Sequence, residues 1–529
     1  MKTINTSYSS FETIINYNFL YVDKTQYIYK MIASGPQMIF CARPRRFGKS
    51  LTLSTLEAIF RGKRELFKGL YIDSTDYDWK EYPVIHVDFG LCGAKTAEEC
   101  ATWINGKLDD IASSYGVELP SSSYYSKFDR LITALSQKSH VVVLIDEYDK
   151  MLSNNIYNPE VEAIRDVTRS FFEVIKAKNE RLRFVFITGV TKYSKVSIFS
   201  SMNNLRDISM SDEYATMFGY TQKELEENFE EYIEQGIKAT GNNRETYLNE
   251  LKYMYDGYRF APGAETVYNP VSVGSFFDEG GKDFNSYWID TGGTKLLMDI
   301  AKKVRFNIAE DLDKPASKSK IASFDIIEMT TGNLTSLKYK ALLLQSGYLT
   351  IKDTEKKGND LYLGFPNKEV QEALSLRFLE VYGGEEVGDN FNSEDLINQF
   401  STGNTKGIID NLFSVYAAIP YREGQKQIEA DYQGMFYAMM IVIHAEVYLE
   451  VLTNKGRIDA VVKTPEHVYV IEFKKDESAK KALEQIKDKG CYEQYKAWSN
   501  NATRKVHLLG INFSTKERNI TNWKEEILK

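Results

Sequence analysis

Cysteine is scarce in this chain: Cys41, Cys92, Cys100 and Cys491 are the only four in 529 residues, and none has CxxC spacing. A structural zinc or a disulfide framework is therefore not expected. Proline is sparse too, at 11, and there is no low-complexity tract, whereas 35 Tyr and 29 Phe argue against disorder. No apolar run approaches the roughly 20 residues of a membrane span. The opening MKTINTSYSSFETII lacks the apolar centre of a signal peptide. The expectation is a cytoplasmic protein with no membrane partner. A positive surplus is missing as well. The net charge of −8 disfavours a general nucleic-acid coat. Residues 421–529 nevertheless carry 18 Lys and Arg against 16 Asp and Glu, which leaves −10 for residues 1–420. Such a segment hints at a polyanion partner, although chance unevenness between surfaces would give the same count. At 529 residues the chain exceeds one ordinary core, so several domains are expected.

What is present begins with four apolar, β-rich runs, 37–42, 82–89, 140–147 and 183–190, alternating with helical segments. That alternation predicts buried parallel strands in an α/β domain. Between the first run and a helix marked by Leu51, Leu53, Leu56, Ile59 and Phe60 lies RPRRFGKS, residues 43–50. A loop between a strand and a helix N-terminus favours phosphate, through backbone N–H groups and the helix dipole. Gly48 allows close approach, Lys49 reaches terminal phosphates, and Ser50 offers a hydroxyl to Mg²⁺. Arg43 stands where a standard loop has its first glycine, and Arg43, Arg45 and Arg46 add positive charge. The run VVVLIDE ends in Asp146 and Glu147, a Walker B pattern. Asp146 would hold Mg²⁺ through water, and Glu147 would orient or deprotonate the attacking water. Thr188, ending the next run, is placed for a γ-phosphate sensor, or is simply a good strand residue.

These stretches resemble a bacterial AAA-ATPase-like family. The resemblance rests on YVDKTQYIYKM (21–31), RPRRFGKSLTLSTL (43–56), VVVLIDEYDK (141–150), FITGVTKYSKVSIFSSMNNLRDIS (186–209), YDGYRF (255–260) and YNPVSV (268–273). It implies that Arg in place of the first glycine is a family trait, and that ATP and Mg²⁺ are the cofactors. It also implies an arginine acting in trans or from a lid, with Arg206 and Arg259 as candidates beside a plainer surface or packing role. A homo-oligomer would fit such an arrangement. The expected order is an ATPase core over 1–220, then a helical lid over 221–309 built on Leu225, Phe229, Tyr232 and Ile233. Residues 310–420 follow as linker (310–322) and connector. Residues 339–382 read helix, strand, charged turn, strand, helix, the order of a winged-helix module that packs on the ATPase or binds DNA.

Residues 421–529 read helix (425–443), three strands (446–453, 457–463, 467–474), helix (478–497) and strand (505–513). Residues two apart on a strand share a face. Glu472 and Lys474 therefore project together, and Asp459 joins them from the neighbouring strand. Two carboxylates suit one or two Mg²⁺ ions, and a lysine suits developing negative charge, as phosphodiester hydrolysis requires. The order αβββαβ with Asp459 and Glu472-Phe473-Lys474 resembles the PD-(D/E)XK nuclease fold. That resemblance implies a further acid on the first helix, Glu429 or less readily Asp431, and a polar helix residue, Gln485. Where the family has tyrosine four places on, this chain has Lys489; Tyr492 comes seven residues after Gln485. The fold class expected is thus α/β multidomain, and the functional expectation is an ATPase coupled to a nuclease acting on nucleic acid, DNA favoured, either with nucleotide state gating cleavage or as a fusion of two independent domains. The competing reading is a nucleotide-switched regulator or scaffold whose C-terminal domain binds without cutting.

Overall fold

The computed structural model describes residues 1–33, 35, 37–192, 199, 202, 204–288, 297–298, 300–301, 312, 314–322, 335–352, 360–383, 391–418, 435–440, 443, 446–453, 456–490, 492–495 and 504–528. Two compact units account for the chain: Met1–Tyr287 with Pro315–Glu369, and Trp288–Lys314 with Val370–Lys529.

The first unit is built on a parallel sheet of β1 (Gln37–Ala42), β2 (Val84–Asp88), β3 (Val141–Asp146), β4 (Leu182–Gly189) and β5 (Leu205–Asp207), in the order β2-β3-β4-β1-β5. All four apolar runs are strands, and β3 is buried along its whole length because helices cover both faces. β5 was not expected: Leu-Arg-Asp is too short and too polar to register as an apolar run. In register, Ala42 meets Gly189 and Asp88 meets Asp146, so the loop after β1 and the acids ending β2 and β3 share the carboxyl edge of the sheet. Ligands of open α/β sheets bind at that edge. The helix Lys49–Phe60 follows β1 and buries Leu53, Leu56, Ile59 and Phe60.

The segment expected as a lid folds as helices Gln222–Thr240, Arg244–Tyr255 and Pro270–Asp278. Thr221 and Glu224 close the first of them with a reciprocal capping box. Leu225, Phe229 and Ile233 join an aromatic-rich core with Tyr247, Tyr255, Phe276 and Phe277, and Tyr232 packs at its margin.

Residues 310–420 are divided between the two units. Ala316–Ser317 (β6) and the helix Lys318–Ala322 replace part of the expected linker, with Ala316 and Ile321 buried. Then come helix Ser336–Ser346, the two-residue strands β7 (Thr350–Ile351), β8 (Asp360–Leu361) and β9 (Leu363–Gly364), and helix Lys368–Gly383. β7 pairs with β9 and β8 with β6, both antiparallel.

In the second unit β10 (Glu446–Thr453), β11 (Gly456–Lys463), β12 (His467–Lys475), β13 (Lys505–Ser514) and β14 (Asn519–Leu528) form one sheet in chain order. Pairing is antiparallel except between β12 and β13. The helix Ala479–Asp488 makes that parallel crossover and packs Ile486 against Val468 and Val470. Helices Ser393–Thr402 and Thr405–Ala417, assigned from sequence to the connector, instead cover the opposite face of this sheet. Tyr469 Oη donates to the Phe400 carbonyl at 3.0 Å, and Asn519 Nδ2 to that of Phe413 at 3.1 Å. Of the expected first helix, 425–443, the described residues are 435–440, which are helical, and 443. β14 was missed because its outer positions are charged and its alternation is weak.

Candidate functional site

At the end of β1 the chain turns sharply through Arg46 (φ +68°) and Gly48 (φ +87°) into the helix that starts at Lys49. A side chain placed on Gly48 would meet nothing within 4 Å, so the space above this backbone is open, as a phosphate cradle requires. Lys49 is buried and its ammonium folds onto its own loop, donating to the carbonyls of Arg43 at 3.1 Å and Pro44 at 2.9 Å. Burial pushes the Lys49 pKa down, against the pull of Asp146, Asp149 and Glu147. Ser50 Oγ donates to Asp146 Oδ2 at 2.6 Å, joining the loop to the end of β3. A hydroxyl and a carboxylate at this separation are two hard oxygen donors, the set that suits Mg²⁺. Burial raises the pKa of Asp146 and also that of Glu147. Glu147 sits at φ +47°, outside the strand, 3.8 Å from the Lys150 ammonium.

Arg43 is placed differently from the expectation that it adds charge around the phosphates. Its side chain is only 1% exposed and runs back beneath the loop. Nη1 donates to the carbonyls of Ala42 at 3.0 Å and Ser209 at 2.6 Å, and Nη2 to that of Tyr214 at 3.2 Å. The guanidinium also lies over the rings of Phe260 and Phe218. It is thus a strut tying the loop to the segment after β5 and to Phe260. Arg46, exposed, donates to the Tyr287 carbonyl at 2.9 Å, while Arg45 is half-buried. Thr188 is fully buried, and its hydroxyl donates sideways to the Cys41 carbonyl at 2.8 Å, bracing β4 against β1. Of the two arginine candidates, Arg206 is exposed and pairs with Glu213 at 3.0 Å. Arg259 lines a cavity of about 50 Å³ with Arg43, Phe260, Gln345 and Ile351.

Two acids at this edge escaped the sequence reading. Asp88 ends β2 opposite Asp146, and a Cβ on Gly90 would touch both Asp88 Oδ1 and Glu147 Oε2. Asp149 accepts from the Thr191 amide at 2.8 Å and its hydroxyl at 2.6 Å, fixing the turn after β4. Asp88 carried the same cue as Asp146, an acid closing an apolar run.

In the second unit, Asp459 on β11 and Glu472 on β12 lie on adjacent antiparallel strands, one pair beyond Ala460–Ile471. Asp459 Oδ2 accepts from the Phe473 amide at 2.7 Å. Glu472 is 2% exposed, and burial, then the Asp459 carboxylate, push its pKa up to about 7. Its Oε1 accepts from Gln485 Nε2 and lies 3.8 Å from Lys474 Nζ and 3.4 Å from Lys489 Nζ. Asp459, Glu472, Lys474 and Gln485 are therefore gathered together, and Lys489 stands beside them. Two carboxylates that repel each other in a buried place fit a divalent cation. Among the described residues no group of three or more His, Cys, Asp or Glu is placed so that it could hold a metal ion. Glu429 and Asp431 lie outside the described residues. Tyr492 packs against the apolar core instead.

Comparison with known proteins agrees with this division. Residues 6–199 match the family described as "Predicted AAA-ATPase", and residues 427–523 match the "PD-(D/E)XK nuclease superfamily". The chain is 32% identical over 527 residues, 97% of its own length and 96% of the other's, to a protein of Azotobacter chroococcum mcd 1 named "Uncharacterized protein in vnfD 5'region". Among the described residues no helix is long and apolar enough to cross a membrane.

Proposed function

Because this chain belongs to the predicted AAA-ATPase family and carries a PD-(D/E)XK nuclease superfamily domain, we propose that it binds and hydrolyses ATP and cuts nucleic-acid phosphodiesters, DNA foremost, at a separate site. The observation that carries the nucleotide half is the 2.6 Å contact of Ser50 with Asp146 at a helix N-terminus. Mg²⁺ would be held by that pair, while Lys49 leaves the loop carbonyls for the terminal phosphates. Glu147 then orients or deprotonates the water. In the nuclease half Asp459 and Glu472 would hold the divalent cation, which supplies charge stabilisation at the phosphate. Lys474 faces the same place and stabilises the charge that develops. Nucleotide state in the first site gates cleavage in the second, and the winged-helix-like connector serves packing rather than DNA reading.

A second reading, a nucleotide-switched regulator or scaffold whose C-terminal domain binds without cutting, is favoured because no group of three or more His, Cys, Asp or Glu among the described residues could hold a metal ion. The discriminating experiment incubates full-length protein with duplex DNA, single-stranded DNA and RNA, plus Mg²⁺ or Mn²⁺, with and without ATP. Cleavage that Asp459→Asn removes while ATP hydrolysis persists supports the nuclease. Binding without cleavage under every condition supports the regulator.

A further inference from the structure

Lys489 is the group at the second site that its family resemblance does not account for. It occupies the C-cap of the helix Ala479–Asp488, with its amide bonded to the Gln485 carbonyl at 3.0 Å. The helix terminus carries partial negative charge and favours a cation there. Its ammonium reaches Glu472 Oε1 at 3.4 Å, closer than Lys474 at 3.8 Å. Gln485, one turn earlier on the same helix, donates to the same oxygen. One buried carboxylate oxygen is thus shared by an amide and two ammonium groups.

The two lysines differ in how they are held. Lys474 is tethered two residues from Glu472 on the same strand, within a parallel pairing to Asn512. Lys489 arrives from a helix end, is followed by Gly490 at φ +57°, and keeps its side chain 28% exposed. A divalent cation on Glu472 would repel both ammonium groups; Lys489 is the more exposed of the two, at 28% against 20%, and sits at a helix terminus that favours a cation. A displaced ammonium at the rim of such a site would meet the next anion to arrive.

We propose that Lys489 competes with the divalent cation for Glu472 and, once displaced, contacts a backbone phosphate of the bound nucleic acid. This rests on the nuclease reading above and names a substrate-binding residue for it.

The test uses the full-length protein without ATP. Mn²⁺ binding is measured by calorimetry for wild type, Lys489→Met, Lys489→Arg and Asp459→Asn, the last to identify the site. Binding of a short fluorescent duplex DNA is then followed in Ca²⁺ across a salt series. Lys489→Met should bind Mn²⁺ about tenfold more tightly. It should bind DNA more weakly, with the slope of log affinity against log salt smaller by about 0.9. Lys489→Arg, which keeps the charge, should behave as wild type in both. A merely structural lysine would leave the Mn²⁺ affinity unchanged or lowered, and that outcome, or an unaltered salt slope, overturns the proposal alone. If wild type binds neither Mn²⁺ in an Asp459-dependent manner nor nucleic acid, the nuclease reading fails and takes this proposal with it.

Discussion

Arg43 stacks on Phe260, its guanidinium carbon 4.3 Å from the ring centroid, while the same side chain donates to the carbonyls of Ser209 and Tyr214. The residue that replaces a glycine of the phosphate loop is therefore a brace between three segments. Restoring the glycine should harm the protein. Arg43→Gly leaves buried carbonyls unpaired, each worth roughly 1–3 kcal/mol, and removes a cation–π contact. The expected loss is at least ~3 kcal/mol in the denaturant midpoint analysis of the first unit. Nucleotide affinity should not improve. A variant as stable as wild type with tighter ATP binding would sink the brace.

The contact of Ser50 with Asp146 gives a second prediction. Ser50→Ala should weaken ATP·Mg²⁺ binding about tenfold, the cost of roughly 1.4 kcal/mol, while barely changing binding of ATP in EDTA. Glu147→Gln should keep ATP·Mg²⁺ bound and slow hydrolysis about 10²- to 10⁴-fold. Titration of a fluorescent nucleotide and phosphate release separate the two. Equal losses with and without Mg²⁺ for Ser50→Ala would remove its hydroxyl from the metal.

The elements legible in the sequence are those whose burial leaves a period. β1 to β4 are covered on both faces and read as apolar runs, and Leu225, Phe229 and Ile233 mark helix Gln222–Thr240 by helical spacing. β5 and β14 escaped because the one has three residues and the other is mostly exposed, with charged positions and weak alternation. At the sites, backbone motifs placed Lys49, Ser50, Asp146, Asp459, Glu472 and Gln485. Side-chain direction is another matter. Whether Arg43 points toward a phosphate or beneath the loop is decided by Ser209, Tyr214 and Phe260, which lie more than 160 residues away. Lys489 was visible only as a departure from a family pattern.

The third prediction concerns Gly257 in YDGYRF. Its φ is +115°, and a Cβ there would lie 2.0 Å from the Pro366 carbonyl oxygen. Gly257→Ala must strain the backbone, at about 1–2 kcal/mol, and displace Pro366, at about 1–3 kcal/mol more. Melting of the full-length variant should come several degrees lower. Hydrogen exchange should rise over β7 and β9 and at the residues that follow Pro366 up to Glu369, in the same unit as Gly257. An unchanged exchange pattern there would mean that the contact does not hold this segment.

The last prediction is a pH dependence in the second unit. His467 Nδ1 lies 2.8 Å from His507 Nε2, and His507 Nδ1 lies 2.6 Å from Glu525 Oε1. Thr405 donates to that same oxygen, and Tyr469 stacks on His507 at 4.4 Å. The three groups form one chain of contacts, with the Glu525 carboxylate accepting from His507 Nδ1 and the two rings facing each other. Burial, then the His507 ring and Lys505, push the His467 pKa below its usual 6.5, against Glu466 and Glu525. Burial pushes Glu525 up, but the bonds from His507 and Thr405 outweigh it and hold the carboxyl below 4.5. The signs agree. Below pH 6.5 the unfolded chain takes up a proton at His467 that the folded chain refuses, so stability falls as pH falls. Glu525 contributes its stability above pH 4.5 and loses it as pH drops through its folded value. Hydrogen exchange of β12 and β13, corrected for intrinsic rates, should therefore accelerate between pH 7 and 5. His467→Gln should flatten that part of the profile while leaving the loss below pH 4.5. A wild-type profile level from pH 7 to 5, or steeper loss in His467→Gln, would contradict the assignment.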